Sequence, residues 1–235
     1  MMSSNLDLQI QSAEQEWLNF WKSGPSRLRW NKIPLQVGDQ APDFELQDST
    51  GAPVHLHDFW NDKPALLLFW RHYGCGCGIE RAKRLQNEYS NYINLGANVV
   101  IIGQGEPERA AAYIQNHKIP CPVLCDPTYK VYQAYDLLEG KPSQVVYNAQ
   151  DEFLQCNLDT GIELQKSRHG TVRAVVDNPW QLPGEFVVDE SGVVRLAYRY
   201  QYCEDWPNPL VLIGAIKEAI WALSYHPSAH MENIA

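Results

Sequence analysis

The feature that most limits what this chain can fold into is the heptapeptide Pro64–Trp70, PALLLFW, which contains no charged residue, amide or hydroxyl. A strand that is apolar on both faces is stable only where both faces are covered, the position of a central strand in a parallel α/β sheet. Asp62-Lys63-Pro64 punctuates its start. Its end passes through a tight turn, His72-Tyr73-Gly74-Cys75-Gly76, into a segment where Ile79, Ala82, Leu85, Tyr89 and Tyr92 recur at spacings of three and four. That is the period of a helix with one buried face. Gly96 closes the helix, and Ala97–Ile102 (ANVVII) reads as a second buried strand.

The alternation continues downstream. Glu106–His117 reads as a helix packed through Ala110, Tyr113 and Ile114, Pro120–Leu124 as a short strand, and Asp126-Pro127 as the opening of a helical turn with Val131 and Tyr135. Upstream, Val54-His55-Leu56 is a short strand or turn segment and Asp58-Phe59 begins another. Glu185–Val188 and Val193–Tyr200 are strands joined by Asp189-Glu190-Ser191-Gly192, a hairpin turn. Asn208 is placed as N-cap and Pro209 as N1 of a last helix striped by Ile213, Ile216, Ile220 and Leu223, with His226-Pro227 as its stop. Two strand–helix crossovers followed by a hairpin and a helix predict an α/β, thioredoxin-like fold, a central mixed sheet flanked by helices.

Three parts are expected. Residues 1–36 form an N-terminal helical extension, in which Ala13–Lys22 sets Trp17, Leu18 and Trp21 on one face and Pro25 ends the helix. Residues 37–225 form the main domain, and 226–235 a tail. Between Tyr135 and Pro183 lies far more chain than a helix-to-strand link needs. Residues 137–180 or so are therefore read as an insertion before the late hairpin, packed beside or over the active-site face. Within it Val145–Tyr147 reads as an extra strand and Thr160–Val176 as a helix broken by Gly170.

Composition excludes more than it selects. At 235 residues the chain buries a core without covalent staples. The formal charge of −9 gives no overall attraction for nucleic acid or anionic membranes. The opening MMSSNLDLQIQSAEQEW has neither a basic start nor an apolar run, and the longest apolar runs, Ala65–Trp70 and Leu210–Ile213, are far too short to span a bilayer. A cytoplasmic location is the expectation. Six cysteines in such a chain are no disulfide scaffold and are read as buried, metal-binding or redox-active thiols.

Placement singles out two of them. Cys75 and Cys77 lie just past the carboxyl end of the most apolar strand, where α/β sheets bind their ligands, and at the start of a helix, whose amides and dipole favour a thiolate. Gly74, Gly76 and Gly78 interleave with them, and Arg71 and His72 add positive charge. Structural zinc is disfavoured, since Cys-x-Cys is an unusual spacing for it, and inert packing is the bland alternative. No metal and no cofactor is expected. Cys121 and Cys125 are assigned to core packing, both pointing to one face, and Cys156 has no reading. Cys203 follows the last strand beside Glu204 and Asp205, which disfavour its thiolate, leaving it a weak candidate for a resolving thiol.

The chain resembles the alkyl hydroperoxide reductase C/thiol-specific antioxidant superfamily over roughly residues 37–223, and more particularly its peroxiredoxin-like branch. Val37-Gly38-Asp39-Gln40-Ala41-Pro42-Asp43-Phe44 with Leu46, Asp48 and Gly51 is similar to the family's opening signature. Pro120–Pro127 (PCPVLCDP) is similar to its middle motif, and Pro183–Gly192 (PGEFVVDESG) to the proline, strand and turn shared with thioredoxins. The resemblance implies a cis Leu182–Pro183 bond facing the reactive cysteine. Cys77 with Glu80 matches the peroxidatic cysteine and its following glutamate, whereas Gly74-Cys75 after Arg71 matches the start of the peroxiredoxin-like turn. Gly74 and Trp70 stand where the peroxiredoxin threonine and proline belong, Gly78 stands where the branch has its second cysteine, and Gln181 replaces the activating arginine.

The leading expectation is a thiol-dependent oxidoreductase that reduces hydrogen peroxide or organic hydroperoxides, with Cys77 attacking, Cys75 resolving, and Arg71, His72, Glu80 and Pro183 in support. Dithiol–disulfide exchange through a Cys75–Cys77 ring, oxidising because so small a ring is strained, is the second. A binding domain that kept the fold and lost the chemistry is the third. The partners implied are a peroxide or disulfide substrate and a thiol reductant such as thioredoxin or glutathione, with no nucleic acid and no membrane, and with room for a homodimer.

Overall fold

The structure, a computed structural model, describes residues 4–147, 151–168 and 177–224. Helix α1 (Asn5–Ser23) starts earlier than the tryptophan pattern suggests. Ser4 accepts from the Asp7 amide at 3.2 Å, and the Asp7 carboxylate accepts from the Ser4 amide at 3.1 Å, a reciprocal cap that fixes the first turn. Strands β1 (Glu45–Asp48) and β2 (Pro53–His55) form a hairpin. The Asp58-Phe59 segment is not a strand: Leu56–Phe59 is a single 3-10 turn, with the Asp58 carboxylate accepting from the His55 amide at 3.3 Å.

Strand β3 (Ala65–Phe69) is buried at every residue, as its composition requires. It leads to α2 (Gly76–Asn94), β4 (Asn98–Gly103), α3 (Pro107–His117), β5 (Val123–Cys125) and α4 (Lys130–Ala134). Helices α5 (Pro142–Val145), α6 (Asp151–Leu154) and α7 (Leu158–Arg168) follow. Val145 therefore ends a helical turn rather than starting a strand, because Pro142 presets the first helical position. The expected break at Gly170 lies outside the described residues, as does the 226–235 tail. Strands β6 (Gly184–Val188) and β7 (Val194–Arg199) and helix α8 (Pro209–Ser224) complete the chain. The Asn208 side chain caps α8 by accepting from the Leu210 amide at 2.9 Å. The buried stripe of α8 is Leu212, Ala215, Ile216 and Ala219, while Ile220 is exposed. The sheet selects the face that lies over it, and here that face is offset from the isoleucine spacing.

The sheet runs β2-β1-β5-β4-β3-β6-β7, with β3 parallel to β4 and antiparallel to β6. Alternation along β3 then feeds two cores. Leu66, Leu68 and Trp70 join the α2, α3 and α8 side, whereas Ala65, Leu67 and Phe69 join Tyr132, Tyr135 and Phe186 on the other. This is the thioredoxin-like fold, a mixed sheet covered by helices on both faces.

Helix α1 packs against Val145, Trp180 and Leu182. Trp17, Trp21 and Trp180 stack in series, at centroid separations of 5.1 and 5.0 Å, around Val145 and Leu182. The buried Glu139 carboxylate accepts from the Arg27 amide at 3.1 Å and from the Asn178 side chain at 2.7 Å. Residues 138–140 lie beside 180–182, the segment that enters β6.

Candidate active site

The arm that leaves β3 is buried from Arg71 through Cys75, and within the turn only Gly76 is exposed. Its backbone is fixed from both sides. The Trp70 carbonyl accepts from the Tyr132 hydroxyl at 2.8 Å, and the His72 carbonyl accepts from the Cys75 amide at 3.0 Å. Tyr73 stacks on Tyr113 at 4.6 Å, and the Arg109 guanidinium lies 5.7 Å from its ring centroid. Cys75 is the N-cap of α2, and its carbonyl accepts the first helical bond from Ile79. Cys77 consequently falls in the first turn, where the amides have no intrahelical acceptor. The two cysteines are joined by a disulfide, with Cα atoms 5.3 Å apart.

Arg71 and His72 are both buried behind this turn. The Nη1 of Arg71 donates to the Pro179 and Gln181 carbonyls at 2.8 and 2.7 Å, which ties the arm to the segment entering β6. Burial lowers the Arg71 pKa, and the neighbouring Cys203 thiol and Tyr132 hydroxyl act in the opposite direction. Pro183 lines a small slot together with Arg71, Cys77, Cys203 and Trp206, so the proline and the cysteine meet as expected. The bond preceding Pro183 is not cis, for none of the described peptide bonds is. Residues 180–182 run extended beside 138–140, with the Leu182 amide donating to the Leu138 carbonyl at 3.0 Å and the Gly140 amide to the Trp180 carbonyl at 2.7 Å. A trans bond continues that extended course into β6 without a reversal.

Glu80 does not join the site. It is exposed and pairs with Lys83 at 3.3 Å, because position 80 falls on the solvent side of α2. The acidic groups beneath the turn are instead Glu88 and Glu185, which flank Arg81. Burial works against the Arg81 charge, but Glu185, Tyr200 and Glu88 around it prevail and hold its pKa above the usual arginine value. Sequence reasoning passed over this network. Its signal was present: Arg81 stands one helical turn after Cys77, and Glu185 is the polar residue of an otherwise apolar strand.

Cys203 is the larger surprise. It packs with Cys75, Cys77 and Trp206 in one buried cluster. Of its acidic neighbours, Asp205 accepts from the Gln201 amide and the Tyr198 hydroxyl, and Glu204, which disfavours the thiolate as expected, accepts from the Tyr147 hydroxyl. Burial raises the Cys203 pKa and Glu204 adds to the rise, which Arg71 offsets only in part. Cys121 and Cys125 do sit in the core, both in the cluster under α2 and α3, where burial pushes each thiol up to about 12. The slot beside Cys77 encloses a volume of about 10 Å³, room for roughly one water. A larger cavity of about 330 Å³ shares Pro183 and Tyr200 with it but is not lined by cysteine.

Comparison with known proteins gives the family and the fold. The model of the AhpC/TSA family matches residues 37–197. Peroxiredoxin Q of Sedum lineare chloroplasts is 28% identical over 187 residues, which are 77% of this chain and 80% of that protein. A chloroplastic thioredoxin-like protein of Arabidopsis thaliana is 28% identical over 104 residues, 44% of this chain and 42% of the relative, so the chain spans less than half of that protein's length. Among solved structures, a peroxidoxin from Mycobacterium tuberculosis superposes with a TM-score of 0.52 at 17% identity, covering 83% of this chain and 99% of the other. That likeness concerns the fold. No described helix is long and apolar enough to cross a membrane.

Proposed function

This chain belongs to the AhpC/TSA family of peroxiredoxin-like, thioredoxin-fold oxidoreductases, and on that premise we propose that it reduces a small peroxide through Cys77, with Cys75 as the first thiol to resolve the product. The observation that carries the reading is the joining of two cysteines at the start of α2, directly beyond a strand buried on both faces. The Cys77 thiolate attacks one peroxide oxygen and the O–O bond breaks. The distal oxygen leaves as hydroxide or alkoxide and takes a proton, and Cys77 becomes a sulfenic acid. Cys75 then attacks that sulfur, water departs, and the Cys75–Cys77 disulfide forms. A thiol reductant such as thioredoxin or glutathione restores both thiols.

The first-turn amides favour the Cys77 anion, and Arg71 supplies a buried positive charge beside it. His72 holds the turn through its carbonyl, Pro183 closes the slot, and Glu80 is left without a part. Four thiols outside the disulfide suit the reducing cytoplasm. Rapid mixing of the reduced chain with hydrogen peroxide tests the reading. With a dimedone-type probe present during mixing, Cys75→Ser is expected to yield a trapped sulfenic acid at Cys77. Peroxide consumption that survives Cys77→Ser overturns the assignment.

The same disulfide favours a second reading, dithiol–disulfide exchange with a protein or small-molecule disulfide. Glutathione disulfide separates the two: if it oxidises the reduced pair as fast as hydrogen peroxide does, exchange is the function.

A further inference from the structure

We infer that Cys203 is a third redox thiol, which takes over the disulfide from Cys77 and frees Cys75; this rests on the reading of Cys75 and Cys77 as the redox pair. Three buried cysteines share one cluster, and of the pair only Cys77 lines the slot that Cys203 also lines. The charge needed for attack is already in place. Arg71 is buried, donates through Nη1 only to carbonyls, and has an Nε atom with no acceptor. A guanidinium taken out of water without an anion is costly, and the Cys203 thiolate is the anion that would satisfy it. The carboxylates nearby do not compete, because Glu185 and Glu88 are held by Arg81.

The step balances within the chain. The Cys203 thiolate attacks the Cys77 sulfur, the 77–203 bond forms and the 75–77 bond breaks. Cys75 leaves as a thiolate at the N-cap of α2, where the helix dipole stabilises it, and it takes up the proton that Cys203 gave away. No outside oxidant enters. The transfer moves the disulfide to the turn that carries the exposed residues Gln201 and Tyr202. That outer turn is anchored by the Cys203 amide donating to the Gln144 carbonyl at 2.9 Å and by the Gln144 side chain donating to the Gln201 carbonyl at 2.6 Å.

Disulfide mapping after acid quench tests this. The full-length reduced chain is oxidised either with hydrogen peroxide or with diamide, which makes a disulfide from a dithiol without peroxide chemistry. The expected result is a 75–77 bridge followed by a 77–203 bridge, the latter also forming in Cys75→Ser, while Cys203→Ser stops at 75–77 and is reduced by thioredoxin several-fold more slowly. A Cys203 that stays fully alkylatable under diamide while the 75–77 bridge forms overturns the relay and leaves the pair intact. A 77–203 bridge under diamide without any response to peroxide supports the relay and removes the peroxidase reading instead.

A separate observation carries a second inference. The structure assigns a divalent-cation site to Asp43, His55 and His57, at the β1–β2 edge of the sheet, where the sequence reading expected no metal. Both histidines turn Nδ1 toward the same Asp43 oxygen, at 3.5 and 3.4 Å. Tetrahedral ligands about 2.0–2.1 Å from zinc stand at edges close to this length. Each outer nitrogen meets a further carboxylate, His55 Nε2 lying 3.5 Å from Glu45 and His57 Nε2 3.5 Å from Asp58. Carboxylates behind metal-ligating histidines orient the rings in this way. The His57 amide, donating to the other Asp43 oxygen at 2.9 Å, fixes the third ligand. Two imidazoles and a carboxylate suit zinc, copper(II) or nickel(II) over magnesium or calcium.

Calorimetric titration with Zn²⁺, on full-length chain with its thiols alkylated, is expected to show one ion per chain. His55→Gln/His57→Gln should abolish it, and Asp58→Asn, which removes the charge behind His57 Nε2 while its amide oxygen can still accept from the His55 amide, should weaken it by about tenfold. Binding unchanged in the double histidine variant, or no binding at millimolar zinc, overturns the site.

Discussion

The Arg81 Nε lies 2.9 Å from the Glu185 carboxylate, joining α2 to β6 directly beneath the cysteine turn. Its Nη1 lies 3.0 Å from Glu88. Because all three groups are buried, removing the cation leaves two carboxylates served only by the Tyr92 and Tyr200 hydroxyls and the more distant Arg84. Arg81→Met is expected to cost about 3–5 kcal/mol, read as a fall in the urea midpoint. Arg81→Lys should lie between, since one ammonium cannot serve both carboxylates with a planar fork. A loss under about 1 kcal/mol in Arg81→Met would mean that the pair behaves like an exposed ion pair.

Gly103, at the end of β4, is required by Tyr73 rather than by its backbone angles. A Cβ there would lie 2.9 Å from Tyr73 Cζ and 3.1 Å from Cε1, and the ring is already held by Tyr113 and Arg109. Gly103→Ala is predicted to cost about 1–3 kcal/mol and to speed alkylation of reduced Cys75 and Cys77 by displacing the arm. Adding Tyr73→Phe should recover part of the stability. Wild-type melting behaviour in the single variant would refute the packing argument.

Stability should fall as pH rises past about 9. Burial pushes the Cys121 and Cys125 thiols up to about 12 in the folded chain, whereas an unfolded cysteine titrates near about 8.5. Between those values the unfolded chain loses protons that the folded chain keeps, so each thiol lowers stability by about 1.4 kcal/mol per pH unit. Urea unfolding between pH 9 and pH 10 should show this slope, and Cys121→Ala/Cys125→Ala should flatten it. An identical slope in that variant would place the titration elsewhere.

Trp21 is expected to hold the N-terminal helix on the domain. Its indole stacks between Trp17 and Trp180 and donates to the Asn157 carbonyl at 2.9 Å. Trp21→Ala should cost about 3–5 kcal/mol and open the 1–23 segment to limited proteolysis. Protease resistance equal to the wild type would show that α1 is held by other contacts.

Periodicity and punctuation made much of this architecture legible. An apolar heptapeptide can sit only in mid-sheet, a cysteine after it can sit only at the sheet's carboxyl end, and Asn208-Pro209 can only begin a helix. These are local constraints, set by side-chain polarity and backbone geometry within a few residues. The first-turn placement of Cys77 followed from them directly. Ser4 with Asp7 offered an equally local signal for the start of α1, and the tryptophan spacing drew attention away from it.

The sequence by itself therefore determined the order of the elements, the buried strand and the two cysteines at its end. Tertiary structure alone decided their company. Arg71, Cys77 and Cys203 meet because β3, α2 and the turn after β7 converge, across separations that no spacing rule encodes. Glu80 faces water and Glu185 faces Arg81 because packing fixes which side of each element lies inward. The trans course before Pro183 follows from pairing with residues 138–140. Local propensity acts over one or two turns of chain. Charge, desolvation and thiol proximity depend on through-space distances, and those exist only once the sheet has closed.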